Sequence, residues 1–234
     1  MKSSHTEYFE SYAQTDEKIL ASPGMIRVAS GSVVVLLWFL VLLLPLASRT
    51  IAQEAAASPA ISKVIADSQA DFADKQGKGN WTYLFFVSNK DGTATYMPDD
   101  VQPMEWHVDK KNGKNEWQGA SQWFANSQSG MQPQIVNGCF QGWPVRRWTS
   151  DRAGTIRITG HVERKSPQGD GVGVKVFVDG KELFNKLVPP ASSTDIDLSV
   201  PITNGSRVDF VVTPGTTLDA NYDATEFHAI IAMQ

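Results

Sequence analysis

The sequence predicts a mainly β protein, an antiparallel β-sandwich or jelly roll, carried behind one N-terminal transmembrane helix and a short linker helix. Three observations predict it. Val28 to Ala47 is a run of 20 residues without a charge. Beyond Trp81 apolar and polar residues alternate in short stretches. Turn pairs such as Asp91-Gly92, Asp179-Gly180 and Asn204-Gly205 separate those stretches. Period two marks strands with one face toward a core, and Asp-Gly or Asn-Gly marks hairpin turns.

Residues 1–27 are polar and mixed in charge, as expected of a cytoplasmic segment. The run from Val28 to Ala47 spans roughly 30 Å as a helix, the thickness of a bilayer core. Arg27 and Arg49 bracket it. A cleaved signal peptide is the competing reading, but its polar lead is usually much shorter than 27 residues. The expectation is therefore an uncleaved anchor in contact with membrane lipid. Residues 48–77 form a linker. Within it Ser58 suits an N-cap and Pro59 the first helical position. Ile61, Val64 and Ile65 follow at helical spacing, so a short helix is expected to about Ala70.

Residues 78–234 are expected to form the sandwich. Trp81 to Phe86 reads as a buried strand. Residues 98–143 are irregular and dense in Trp, Gln, Asn and Gly. Ile156, Ile158 and Val162 then alternate with Arg157, Thr159 and Glu163. Val172, Val174, Val176 and Val178 continue the pattern, as do Ile196, Leu198, Val200 and Ile202. Val208, Phe210 and Val212 follow, then Phe227, Ala229, Ile231 and Met233. Each strand is expected to turn one half inward and the other to solvent or a ligand.

Composition narrows the function. The chain has 234 residues, of which 21 are basic and 25 acidic, for a net charge of −4. That balance argues against nucleic acid as a partner. A single cysteine, Cys139, excludes a disulfide framework within one chain. HExxH, GxSxG and phosphate-binding glycine loops are absent from the sequence. The expectation is a protein that is not an enzyme.

The segment from Asp71 onward resembles a family of secreted bacterial β-sandwich modules of the carbohydrate-binding type. The residues that carry the resemblance are Asp71-Phe72, Gln76-Gly77, Trp81-Thr82-Tyr83, Val145 to Ser150, Ala153 to Gly160, Gly169 to Val176 and Asp223 to Phe227. It implies a jelly-roll fold, an extracytoplasmic location and carbohydrate binding. Such modules usually sit beside enzymes, whereas here the module follows a membrane segment. The implied arrangement is a single-pass protein of the bacterial inner membrane, N-terminus in the cytoplasm and sandwich in the periplasm.

Binding residues are expected in the Trp-rich region. Trp106, Trp117, Trp123 and Trp143, with Arg146 and Arg147 beside them, are the candidate contact surface, because rings and guanidinium groups dominate binding energy. Gln118, Gln122, Asn126 and Gln128 supply amides for sugar hydroxyls. The opposing reading places these rings in packing. Arg146, Arg147, Arg152, Arg157, Arg164 and Lys165 also make 144–165 basic, either a solvated face or a patch for anionic partners. Asp219, Asp223 and Glu226 precede the last strand and could supply hard oxygen ligands to a structural Ca²⁺, with Asp170 as a further ligand. Two functions follow. The first is an accessory subunit that stabilises a respiratory or photosynthetic type of inner-membrane complex through membrane-protein partners. The alternative is a membrane-tethered module that binds cell-envelope or extracellular polysaccharide.

Overall fold

A computed structural model describes residues 63–89, 91–111, 113–119, 125–136, 140–216 and 220–234. The expected membrane helix, Ser58-Pro59, Trp123, Gln122, Cys139 and Asp219 lie outside the described residues. The strands are β1 (Lys63–Asp67), β2 (Trp81–Asn89), β3 (Gln102–Pro103), β4 (Glu105–Asp109), β5 (Lys114–Gln118), β6 (Ala125–Asn126), β7 (Gly130–Gln132), β8 (Gln134–Val136), β9 (Phe140–Thr149), β10 (Gly154–Arg164), β11 (Val172–Val178), β12 (Lys181–Val188), β13 (Ser192–Ile202), β14 (Arg207–Pro214) and β15 (Thr225–Met233). Among the described residues the one helical turn is a 3₁₀ turn at Lys78–Asn80.

Two antiparallel sheets form. The first runs β13-β10-β15-β7-β6-β5-β4, with β1 also on β15. The second runs β12-β11-β14-β9-β2-β3, with β8 also on β9. The sheets pack face to face. Phe210 of β14 meets Phe227 of β15 edge to face, with centroids 5.3 Å apart. Alternation explains the core. On β13 Thr194, Ile196 and Ile202 are buried while Asp195 and Asp197 are exposed. The β11–β12 hairpin turns on Asp179 (φ 49°) and Gly180 (φ 81°). Two successive positive φ values define the two-residue turn whose twist suits paired strands.

Three features differ from expectation. First, residues 63–67 are a strand and not a helix. Val64 and Ile65 are β-branched and favour extended backbone, and β15 offers them an edge, Lys63 facing Met233 and Asp67 facing Ile230. The sandwich thus includes part of the segment expected as linker. Second, the middle of the second sheet is buried on both faces. Phe86, Tyr96, Trp143, Val145, Phe177 and Val211 form an outer cluster, which Ala94 and Val101 help to cover. Sheets covered on both faces carry near-continuous apolar runs, as in Phe210-Val211-Val212. Third, the basic stretch 144–165 is not a free patch. Arg147 pairs with Asp209, Arg152 with Asp151, Arg157 with Asp197, Arg164 with Asp223 and Lys165 with Glu226.

Asp67 secures β1. Its Oδ1 accepts the N–H groups of Gln69 (2.9 Å) and Ala70 (3.0 Å) and lies 3.0 Å from His228 Nε2. Burial raises this carboxyl, but those donors and the histidine outweigh it and hold it below its ordinary value of 3.8. A carboxyl held low in the folded state lends stability above its ordinary value and loses it as pH falls through the folded value. Hydrogen exchange should therefore show β1 losing amide protection in acid before β10 does. In Asp67→Ala that acid step should be missing; an unchanged step would assign it to another group.

Candidate functional site

An open groove of about 470 Å³ lies where three segments meet. The chain after β1 contributes Phe72, Ala73, Asp74 and Lys78; the β4–β5 hairpin contributes Trp106, Gly113 and Asn115; the turn before β7 contributes Gln128. Register explains the hairpin's share. Trp106 faces Trp117 and Val108 faces Asn115 across the two strands. Alternation puts these four on one side and Glu105, His107, Asp109 and Glu116 on the other. Val108 is 50% exposed, so the apolar strip continues past Trp106.

Beneath the groove lies an aromatic cluster. Trp106 meets Trp117 edge to face at 5.4 Å and Phe72 at 6.0 Å. Tyr83 stacks on Trp117 at 5.2 Å and meets Phe72 at 5.1 Å. Trp117 Nε1 donates to the Ala73 carbonyl at 2.8 Å, tying hairpin to wall. Tyr83 and Trp117 are buried, while Phe72 and Trp106 keep partial exposure. Burial pushes the Tyr83 hydroxyl up from its ordinary value, although Arg146 nearby opposes the shift. It stays neutral.

The sequence-predicted contact residues divide. Trp106 reaches the groove. Trp117 (4% exposed) is buried beneath it, packed against Trp106. Trp143 is buried in the outer cluster of the second sheet, where Nε1 donates to Gln141 Oε1 at 2.9 Å. Arg146 and Arg147 are adjacent on β9 and so point to opposite faces. Arg146 lies between the sheets and is fully buried. Arg147 lies beneath the outer covering and holds Asp209. Burial takes Trp117, Trp143, Arg146 and Arg147 out of any exposed contact surface. The amides divide too. Gln128 lines the groove, whereas Asn126 is buried and donates to the Val145 carbonyl at 3.3 Å. Gln118 donates to Glu116 at 2.9 Å.

Of the candidate Ca²⁺ ligands, Asp223 and Glu226 point to different environments. Asp223 is fully buried with Arg164 at 3.5 Å, so a guanidinium provides the positive charge there. Glu226 is exposed and engages Lys165. Among the described residues no three acidic, histidine or cysteine side chains group to hold a metal. Phe72, Asp74, Lys78 and Asn115 also line the groove, although no local pattern marks them as site residues. Their one signal is the Asp71-Phe72 pair in the resemblance.

No protein-family profile matches the sequence, and no curated protein matches it. Solved structures show remote likeness. A family 51 carbohydrate-binding module of a GH95 protein from Clostridium perfringens, in complex with methyl-galactose, is 13% identical; 60% of this chain and 91% of that chain align, with a TM-score of 0.33. A family 35 carbohydrate-binding module from Clostridium thermocellum is 6% identical over 63% of this chain and 96% of that chain, with a TM-score of 0.30. The C-terminal CBM6 of LamC from Zobellia galactanivorans is 11% identical over 63% and 98%, with a TM-score of 0.29. Scores of this size assign neither ligand nor activity.

Proposed function

We propose that the domain is a non-catalytic glycan-binding module held at the membrane by Val28–Ala47, with the sandwich in the periplasm. The observation that carries the glycan reading is the groove, where the partly exposed rings of Trp106 and Phe72 adjoin the polar side chains of Asp74, Lys78, Asn115 and Gln128. A sugar ring has an apolar C–H face that covers an aromatic surface and an equatorial rim of hydroxyls that needs donors and acceptors. Rings flanked by a few polar groups meet both needs. Asp74 is the one carboxylate among the described residues that line the groove. Glycoside cleavage uses two carboxyl groups across the scissile bond, so this lining fits retention of a glycan better than its hydrolysis. Trp117, Trp143, Arg146 and Arg147 are interior and available to neither a glycan nor a membrane-protein partner, so among the described candidate rings Trp106 in the groove is the one that supports binding.

The test is a glycan array and affinity electrophoresis with the full-length protein in mild detergent. The wild type should be retained by at least one cell-envelope or extracellular polysaccharide. Trp106→Ala should weaken retention by roughly thirtyfold, the equivalent of about 2 kcal/mol for a central aromatic contact. A blank array, or equal retention of the variant, would remove the groove as a glycan site.

A further inference from the structure

Arg146 is a buried cation for which the structure shows no carboxylate partner among the described residues. Its guanidinium instead donates to three carbonyls: Nη1 to Ser68 at 3.1 Å, Nη2 to Ser127 at 2.6 Å, and Nη2 to Gly130 at 3.5 Å. Its Cζ lies 5.7 Å from the ring centres of Phe72 and Tyr83 and 5.2 Å from that of Phe227. Three electron-rich ring faces and three carbonyls stand in for an anion. The compensation is partial, since burial pushes the guanidinium down to about 10.

The bonded carbonyls belong to two segments far apart in sequence. Ser68 opens the stretch that carries Phe72, Ala73 and Asp74, one wall of the groove. Ser127 and Gly130 flank Gln128, which lines another part of the groove. A second and more exposed tie joins the same segments, Gln128 Nε2 donating to the Gln69 carbonyl at 3.2 Å. We infer that Arg146 is a positioning residue for the groove: one guanidinium bonds both segments, rests against the Phe72 ring, and so sets the spacing at which a ligand ring meets Phe72 and Trp106. The inference rests on the groove being the binding site. The physical choice of residue supports it. An apolar side chain of similar length would fill the space without the cost of burying a charge. An apolar chain cannot bond three carbonyls. A lysine keeps the charge but presents a point donor in place of a planar fork.

The experiment compares full-length wild type with Arg146→Met and Arg146→Lys by hydrogen exchange, thermal unfolding and retention on whichever glycan the wild type binds. In Arg146→Met, exchange should rise roughly tenfold or more in peptides covering 68–74 and 127–132, with β10 and β14 unchanged. Glycan retention should fall while the unfolding midpoint moves little. Unchanged exchange in both segments, or an equal rise across all strands, would overturn the positioning role. Should the Met variant fail to fold, the Lys variant is judged by the same pattern. A wild type that binds no glycan would defeat the proposed function, whereas the exchange pattern would still decide what Arg146 holds.

Discussion

Replacing Asp209 by alanine is expected to lower the unfolding free energy by about 3–5 kcal/mol, the usual cost of orphaning one partner of a buried pair. Asp209 is 1% exposed and accepts three bonds. Arg147 Nε reaches Oδ1 at 2.6 Å, Arg147 Nη2 reaches Oδ2 at 2.9 Å, and the Tyr96 hydroxyl reaches Oδ2 at 2.8 Å. Burial alone would push the Arg147 guanidinium down, but Asp209 outweighs burial and holds it above its ordinary value. Burial, reinforced by Asp209, pushes the Tyr96 hydroxyl well up, so it remains a donor. Without Asp209 a guanidinium and a phenol stay buried with their chief acceptor gone. The loss should also free the covering loop, because Arg147 Nη2 donates to the Pro98 carbonyl at 2.7 Å. Denaturant unfolding followed by Trp fluorescence measures the effect. The controls separate charge from hydrogen bonding. Tyr96→Phe should cost about 1 kcal/mol, since Asp209 keeps its bidentate partner. The pair Arg147→Met with Asp209→Leu should recover most of the loss, because no charge is then left alone. Asp197→Ala, which breaks an exposed pair with Arg157, should cost far less. Comparable losses in Asp197→Ala and Asp209→Ala would show that Asp209 is not a buried anchor.

What could be read in the sequence was what local pattern dictates. The alternation in β10, β13 and β15 gave their inward residues, because one residue step reverses a side chain's face. Asp179-Gly180 gave a hairpin because both positions adopt positive φ. The helical reading of Val64 and Ile65 failed because spacing over so short a stretch fits either period, and the free edge of β15 decides between them. Burial of the second sheet on both faces was hidden because its cover, including Tyr96 and Val101, reads as loop. The Trp-rich region was opaque for a related reason. β6, β7 and β8 have two or three residues each, too few for a period to show. Sequence adjacency also misled: Arg146 and Arg147 looked like one cationic patch, yet the pleat sends one inward and one outward. The groove could not be read at all from any one stretch. It joins 72–78, 106–115 and Gln128, which the antiparallel pairing of β4 to β7, the Trp117–Ala73 and Gln128–Gln69 bonds and the Arg146 bonds bring together.

A second large effect should separate ring volume from hydrogen bonding in the core. Trp81 and Trp148 face each other across β2 and β9, and both are essentially inaccessible to solvent. Neither indole N–H meets an acceptor among the described residues. Trp148→Ala should cost about 3–5 kcal/mol, from lost apolar burial plus the cavity that a close-packed interior cannot collapse. Trp148→Phe removes less volume and also deletes a buried donor whose isolation itself costs on the order of 1–3 kcal/mol. The two terms oppose, so the net loss for Phe should stay below about 1.5 kcal/mol. Trp117 provides the contrast, because its Nε1 has a partner in the Ala73 carbonyl at 2.8 Å. Trp117→Phe forfeits that bond and the stacking area against Tyr83, with nothing gained in return. It should therefore cost more than Trp148→Phe, although Trp117 is the more exposed of the two rings. Parallel denaturant titrations of the three variants measure the order. If Trp148→Phe proves as costly as Trp148→Ala, the indole N–H is satisfied in solution and the missing acceptor is not a feature of the folded protein.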